Sequence, residues 1–507
     1  MKTTTFLSFL LIFSFGKINK SIAQNAPKYA YNPIVPDNVA DPSIVIFNNT
    51  YYLYATTDLN KGLGKAGVPV VWKSKDFVNW SFEGTLINDI DFDKAYNYTD
   101  AKGVSKTGYF RYWAPGKPLY KNGKYYLYAT IVKPDDKNAG YAFIADKPEG
   151  PFKFANGKGV FFNDPDKVKD ESIPIAPDID GEPFVDDNGE AYLFWRRRNA
   201  AKLSSDLLSL DGPTISIPTK HDGYSEGPLM FKRKGIYYYI YTLSGSPNYC
   251  NAYMMSTVNP LGPFTAPPTG PDVFVHSDIQ AGVWGPGHGN VLHLPGTDDY
   301  YFIYLEYGEG GTSRQVYANK MQFNADGTIA PMKIDLNGVG YLGKNQQKET
   351  NLALSAVATA SSHKADRVSN ARIEPDPNAI QNIGGNFNGP NVQSVSRTFT
   401  YDAKNAVDAL NGTRWMADAT DAKPWYMLDL GKKTKIKSCD IFFYLPTLAH
   451  TWVLEKSNDQ QTWEIVKKQD ETTVVRSPET ISKIGDARYL RLTITNGPAG
   501  IWEMKVY

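Results

Sequence analysis

Tyr51-Tyr52-Leu53-Tyr54, entered from the turn Asn48-Asn49, decides the fold, because variants of it recur along the chain. Tyr125-Tyr126-Leu127-Tyr128, Ala191-Tyr192-Leu193-Phe194, Tyr237-Tyr238-Tyr239-Ile240-Tyr241 and Tyr300-Tyr301-Phe302-Ile303-Tyr304 each follow their own turn, at Asn122-Gly123, Asn188-Gly189, Lys234-Gly235 and Thr297-Asp298. An aromatic and aliphatic run behind such a turn reads as the second arm of a β-hairpin. The first arms are residues 41–46, 113–119, 180–185, 226–231 and 288–294. Five hairpins separated by uneven insertions predict an all-β chain that opens with a five-bladed β-propeller rather than a sandwich, whose sheets do not repeat one hairpin in this way. In a propeller the first strand of each blade lines the central channel, so residues at its leading end converge on one place.

Ten to twelve residues before the first aromatic of each repeat stands one conspicuous residue: Asp41, Trp113, Asp180, Glu226 and His288. The repeat puts these five on one ring. Taken singly, Asp41-Pro42, Asp180-Gly181 and Glu226-Gly227-Pro228 are ordinary turn formers; at equivalent positions of a repeat they form a cluster. Clustered carboxyl groups raise one another's pKa and resist burial, a strain that active sites use. Cleavage of a glycosidic bond needs that separation, since one carboxyl must be protonated to donate to the leaving oxygen while another stays ionised. Trp113 offers an aromatic face on which a sugar can stack, with core packing as the alternative. His288, flanked by Gly285-Pro286-Gly287 and Gly289, has too few neighbouring ligands for zinc.

With these residues in place, residues 29–340 resemble glycoside hydrolase family 43, through Ala40-Asp41-Pro42-Ser43, Tyr112-Trp113-Ala114-Pro115, Ile179-Asp180, Ser225-Glu226-Gly227-Pro228 and Gly285-Pro286-Gly287-His288-Gly289. The resemblance implies that Asp41 is the general base, Glu226 the general acid, and Asp180 the group that orients Glu226 and holds its pKa up. It implies that His288 sits at the axis holding a water or a calcium ion, and that Arg314 is directed at the substrate or the acid, with a surface salt bridge as the alternative. Inversion at the anomeric carbon follows, with a carboxyl separation of about 6.5–9.5 Å. The family more often has Pro-Ser after this aspartate, so Glu182 in Gly181-Glu182-Pro183 is an extra carboxylate of unassigned direction. The implied activity is exo-acting hydrolysis of arabinose- or galactose-containing plant-type polysaccharide. An α-L-arabinofuranosidase is the first choice, and β-xylosidase, β-galactosidase or galactanase, and galactofuranosidase are the alternatives. From another class, a glycan-binding propeller without catalysis competes. The chemistry requires no cofactor.

Lys344 to Glu349 is a polar run that ends the propeller pattern, giving a propeller over 24–345 and a second unit over 351–507. The second unit, with Ala406-Val407-Asp408, Gly412-Thr413-Arg414-Trp415, Trp425 to Gly431 and Ala487 to Leu492, resembles the discoidin-like jelly-roll sandwich of family 32 carbohydrate-binding modules. That resemblance implies a structural calcium enclosed by Asp408, Thr413 and Glu503, an oxygen set suited to a hard cation. Trp415 and Trp425 read as core, and residues 361–400 as loops.

The formal charge is +1 over 507 residues, with no long charged run, which removes support for a nucleic-acid or anionic-membrane partner and points to a neutral oligo- or polysaccharide. The chain is read as a monomer. Residues 1–23, with Lys2, an apolar run from Phe6 to Phe15 and Ser21-Ile22-Ala23, read as a signal peptide for secretion or the periplasm, too short to span a bilayer comfortably. Cys250 and Cys439 fall in different units, against a disulfide framework.

Overall fold

A computed structural model describes residues 30–164, 167–221, 223–343, 350–379, 391–473 and 476–507; the signal-peptide reading and the polar join at 344–349 lie outside them. The first part is a five-bladed β-propeller and the second a β-sandwich. Blade 1 runs from the axis outward through Val39–Phe47, Thr50–Thr57, Val70–Ser74 and Trp80–Thr85. In blade 2 the inner strand is split into Arg111–Trp113 and Leu119–Lys121, both paired to Lys124–Val132, with Asn138–Ala145 and Lys153–Phe154 outside. Blade 3 is Glu182–Val185, Ala191–Trp195, Asn199–Lys202 and Ile215–Ser216, and blade 4 is Ser225–Arg233, Ile236–Leu243, Cys250–Ser256 and Val273–Val275. Blade 5 contributes Gly287–His293, Tyr300–Glu306 and Gln315–Lys320.

The aromatic repeats are the second strands, and their continuous apolar character has a physical cause. Side chains along a strand alternate between its two faces, and both faces of a blade are covered by neighbouring blades. Tyr52 and Tyr54 therefore pack with Leu127 of blade 2, while Tyr51 and Leu53 pack with Ile303 of blade 5. Tyr128 meets Leu193, Phe194 meets Tyr239, and Ile240 meets Phe302. Five small cores thus close into a ring.

Closure is completed by the segment at 31–35. Ile34 N–H donates to the Val316 carbonyl at 2.8 Å, and the Asn32 side chain exchanges hydrogen bonds with the backbone of Ala318. This segment lies along the outer edge of blade 5 and satisfies backbone groups that would otherwise form an open strand edge.

In the second unit the long strands Trp425–Phe443 and Glu479–Asn496 form the centre of a sheet that also includes His450–Ser457 and Gly500–Val506. Trp415, Trp452 and Leu490 are fully buried there, while Trp425 is half-buried. Cys250 and Cys439 are buried as free thiols. Residues 361–400, expected as loops, contain a hairpin of Arg367–Ile373 paired with Gln393–Phe399. Its alternate residues Ala371, Ile373 and Val395 are buried against Trp284 of the propeller, and that packing is what makes it a hairpin.

Candidate active site

Each inner strand reaches the channel through the same backbone device. Asp41, Ala114, Asp180, Gly227 and His288 have φ values of 50, 46, 66, 52 and 28°, all in the left-handed region that only glycine enters freely. Each is followed by proline or glycine: Pro42, Pro115, Gly181, Pro228 and Gly289. In blades 1, 4 and 5 the ladder shifts register at this point, in blade 2 the inner strand is interrupted there, and in blade 3 it begins just after. A bulge of this kind bends a strand and re-aims its side chains.

The bulge corrects the expected ring. Asp41, Asp180 and His288 occupy the left-handed position, but Trp113 and Glu226 stand one residue before it. Across the hairpin Trp113 faces Thr130 and Glu226 faces Thr242, as Ala40 faces Thr56. Counting back from the aromatic run missed this because the hairpins differ in length. Trp113 is half-buried, with the Arg111 guanidinium 5.3 Å from the centre of its ring.

Neighbouring blades are joined at the bulge by buried threonines. Thr56 Oγ1 accepts from Ala114 N–H at 2.8 Å, Thr130 Oγ1 from Asp180 N–H at 3.1 Å, and Thr242 Oγ1 from His288 N–H at 3.0 Å. In blade 4 the left-handed Gly227 N–H instead donates to Asp180 Oδ2 at 3.0 Å. A Cβ on Gly227 would lie 2.8 Å from His288 Cγ, so the residue after Glu226 must be glycine on steric as well as conformational grounds.

Asp41, Asp180, Glu226 and His288 are all buried, between 4 and 9% exposed. Arg314 Nη1 donates to Asp41 Oδ1 at 3.0 Å, while its Nε and Nη2 clasp Asp58 at 2.9 and 3.0 Å. Arg314, expected at the substrate or the acid, therefore directs its donors to Asp41 and Asp58. His288 Nδ1 lies 3.6 Å from Asp41 Oδ1 and 3.9 Å from Asp180 Oδ2. Burial alone would raise the Asp41 pKa, but Arg314, His288 and a hydrogen bond to Thr56 together hold it below the ordinary aspartate value.

Glu226 has the opposite surroundings. Burial and the nearby Asp180 push its pKa up, against a hydrogen bond from Tyr224 and the proximity of His288 and Tyr249. Asp180 is itself pushed up to about 7, by burial first and by Asp41, although it accepts the Gly227 N–H. Asp41 and Glu226, both within the influence of His288, are thus driven apart, one toward the ionised form and one toward the protonated form. Asp58, Tyr224 and Tyr249 were not among the expected residues. Neither tyrosine carried a periodic signal: Tyr224 stands just before the strand that begins at Ser225, and Tyr249 lies on a loop.

Glu182 turns inward. Its carboxylate accepts from Lys117 N–H at 2.8 Å and from Asn290 Nδ2 at 3.0 Å, and Lys117 Nζ donates to the Val291 carbonyl at 3.0 Å. Among the described residues no group of three or more His, Cys, Asp or Glu side chains is placed to hold a metal ion. His288 offers a single nitrogen beside carboxylates already paired, and Lys117 already supplies a cation to Glu182, a poor fit to the six to eight oxygens that calcium takes. In the sandwich the fit is better. Thr413 Oγ1 lies 2.9 Å from both Asp408 oxygens, Glu503 Oε1 accepts from Ala409 N–H, and the buried Glu503 Oε2 has no partner. Burial pushes Asp408 up to about 6 and Glu503 up to about 8, with the Asp408 charge adding to the latter. An oxygen-rich pocket with an orphaned carboxylate oxygen suits a hard cation.

A sequence profile of glycosyl hydrolases family 43 matches residues 30–329, and one of the F5/8 type C domain matches residues 391–504. A solved structure titled glycoside hydrolase is 40% identical, with a TM-score of 0.80 over 96% of this chain and 100% of its own. The β-D-galactofuranosidase of Aspergillus niger is 29% identical over 61% of this chain and 87% of its length. An arabinoxylan arabinofuranohydrolase of Paenibacillus polymyxa is 24% identical over 70% of this chain and 60% of its length.

Proposed function

This chain belongs to glycosyl hydrolases family 43, and on that premise we propose that it is an exo-acting, inverting furanosidase releasing α-L-arabinofuranose from a neutral glycan outside the cytoplasm. The opposed environments of Asp41 and Glu226 carry the reading. Glu226, held protonated by burial, donates its proton to the leaving glycosidic oxygen as the bond to the anomeric carbon lengthens. Asp41, held ionised by Arg314, takes a proton from a water that attacks the opposite face of the sugar. Asp180 fixes the Gly227 peptide and lends its charge to the acid's raised pKa. Glycosidic hydrolysis of this kind needs no electron transfer, and no step passes through a metal.

The name of the Aspergillus relative favours a second substrate, the β-D-galactofuranoside. Its five-membered ring has the same stereochemistry as α-L-arabinofuranose and differs by one hydroxymethyl group, a difference a pocket discriminates by only about 1–3 kcal/mol. A panel of nitrophenyl α-L-arabinofuranoside, β-D-galactofuranoside, β-D-xyloside and β-D-galactoside ranks the sugars, and NMR of the first-formed anomer tests inversion. Both furanosides are expected to exceed both pyranosides. Retention, or wild-type rates in both Asp41→Asn and Glu226→Gln, defeats the proposal. Release of single sugars from a polymer supports exo action, and an exported protein beginning at Gln24 supports the leader reading. In the sandwich, Asp408, Thr413 and Glu503 are the residues that would hold a structural calcium.

A further inference from the structure

Segments that build the active site are gripped by the C-terminal module. Arg397, buried on the module's hairpin, donates to Glu306 at 2.9 Å and stacks 4.3 Å from the Trp284 ring, while Trp284 N–H donates to the same Glu306. Glu309, on the loop leading to Arg314, pairs with Arg414 and accepts from the Tyr401 hydroxyl at 3.1 Å. The third grip is on Asn248, which is 1% exposed. Its Nδ2 donates to the Arg372 carbonyl at 2.8 Å and its Oδ1 accepts from Glu374 N–H at 2.8 Å, so one amide side chain is paired on both sides with one strand of the hairpin.

The next residue is Tyr249, whose phenol stands close enough to the Glu226 carboxyl that each shifts the other's pKa. Tyr249 has no freedom on its other side: a Cβ on Gly287 would lie 2.5 Å from the Tyr249 Cβ, so the ring rests directly on the strand that carries His288. We propose that the C-terminal module is a built part of the active site, and that Asn248 is the positioning residue through which it holds Tyr249 against the carboxyl of Glu226. The module thereby sets the orientation of the proton donor, a task distinct from binding glycan.

The proposal rests on Glu226 being the acid, and a leaving-group comparison separates the two ideas. An alkyl arabinofuranoside needs protonation of its leaving oxygen, whereas a dinitrophenyl arabinofuranoside does not. Asn248→Ala is expected to lower kcat on the alkyl substrate by roughly 10- to 100-fold, part of the ~10²–10⁴-fold that a positioned general acid supplies, while changing the dinitrophenyl rate by under about threefold. Tyr249→Phe should show the same pattern, and the double variant should be no worse than either. Where Asn248→Ala does not fold, Ile373→Ala, in the strand between the two backbone partners, must reproduce the pattern. Equal losses on both substrates in folded variants, or none on either, overturn the positioning role. Glu226→Gln is the control. If it shows the leaving-group pattern and the Asn248 and Ile373 variants do not, the clamp alone is wrong; if it loses both substrates equally, the acid assignment fails and the clamp's role falls with it.

Discussion

Arg314 decides what Asp41 can do. A carboxylate that is 7% exposed would ordinarily be driven toward its neutral form, and the guanidinium at 3.0 Å reverses that. In Arg314→Met burial is opposed only by His288 and the Thr56 hydrogen bond, so the Asp41 pKa rises. With Asp41 as the proposed base, the acid limb of kcat/KM then moves to higher pH, which a pH–rate profile measures directly; the alkaline limb, which the proposal assigns to Glu226, stays in place. The same variant strands Asp58, and breaking a buried pair costs about 3–5 kcal/mol, so thermal unfolding must be recorded alongside. Arg314 was legible in the sequence as a site residue, but its use was not, because Asp58 lies 256 positions away and nothing local links the two. Gly227 is the other residue whose identity is enforced: Gly227→Ala must hold φ near 52° and push on His288, and is expected to abolish activity at a smaller cost in stability.

At the scale of the element, the inner strands explain both what the sequence disclosed and what it hid. The hairpins were legible because both faces of each second strand are buried, which writes an aromatic run into the chain. The bulge was also written, as Asp-Pro, Ala-Pro, Asp-Gly, Gly-Pro and His-Gly, but those pairs read locally as turns until the backbone shows one left-handed residue per blade. The threonines were overlooked although Tyr54-Ala55-Thr56 and Tyr128-Ala129-Thr130 repeat them, because their partners lie in the following blade. Thr130→Val keeps the shape and removes the acceptor for Asp180 N–H. A buried N–H left without a partner costs about 1–3 kcal/mol, so the denaturation midpoint should fall with an unchanged slope. Activity should fall further than stability does, because Asp180 carries the hydrogen bond that fixes Gly227. The hairpin at 367–399 was unreadable for a different reason: its apolar residues are sparse, and the surface that buries them belongs to the propeller.

Across the whole molecule, one loop ties the module's cation pocket to propeller closure. Asp408 and Thr413 bracket Asn411, whose Nδ2 donates to the carbonyls of Pro33 and Ile34 at 3.0 and 3.2 Å, on the segment that completes blade 5. Without a cation, the raised pKa values of Asp408 and Glu503, about 6 and about 8, mean that folding favours their protonated forms. Their contribution to stability is fully present below the ordinary carboxyl values and is lost as pH rises through about 6 and then about 8. A calcium ion held as proposed by Asp408, Thr413 and Glu503 would take the place of those protons, so its effect is expected to grow over the same range and be small near pH 4. At a hundredfold excess over Kd the gain is about 2.7 kcal/mol, which would be worth roughly 5–10 °C if the module melted alone but only about 2–3 °C in a single transition of the whole chain. Because buried pairs at Glu306 and Glu309 join the two units, and Asn411 joins the loop to the closing segment, the shift should appear in one calorimetric transition rather than in a module melting alone. Asn411→Ala leaves the pairs at Glu306 and Glu309 in place, so the transition should stay single with a lowered midpoint and a smaller calcium shift. Two calcium-independent transitions in the unmodified protein would separate the pocket from propeller closure.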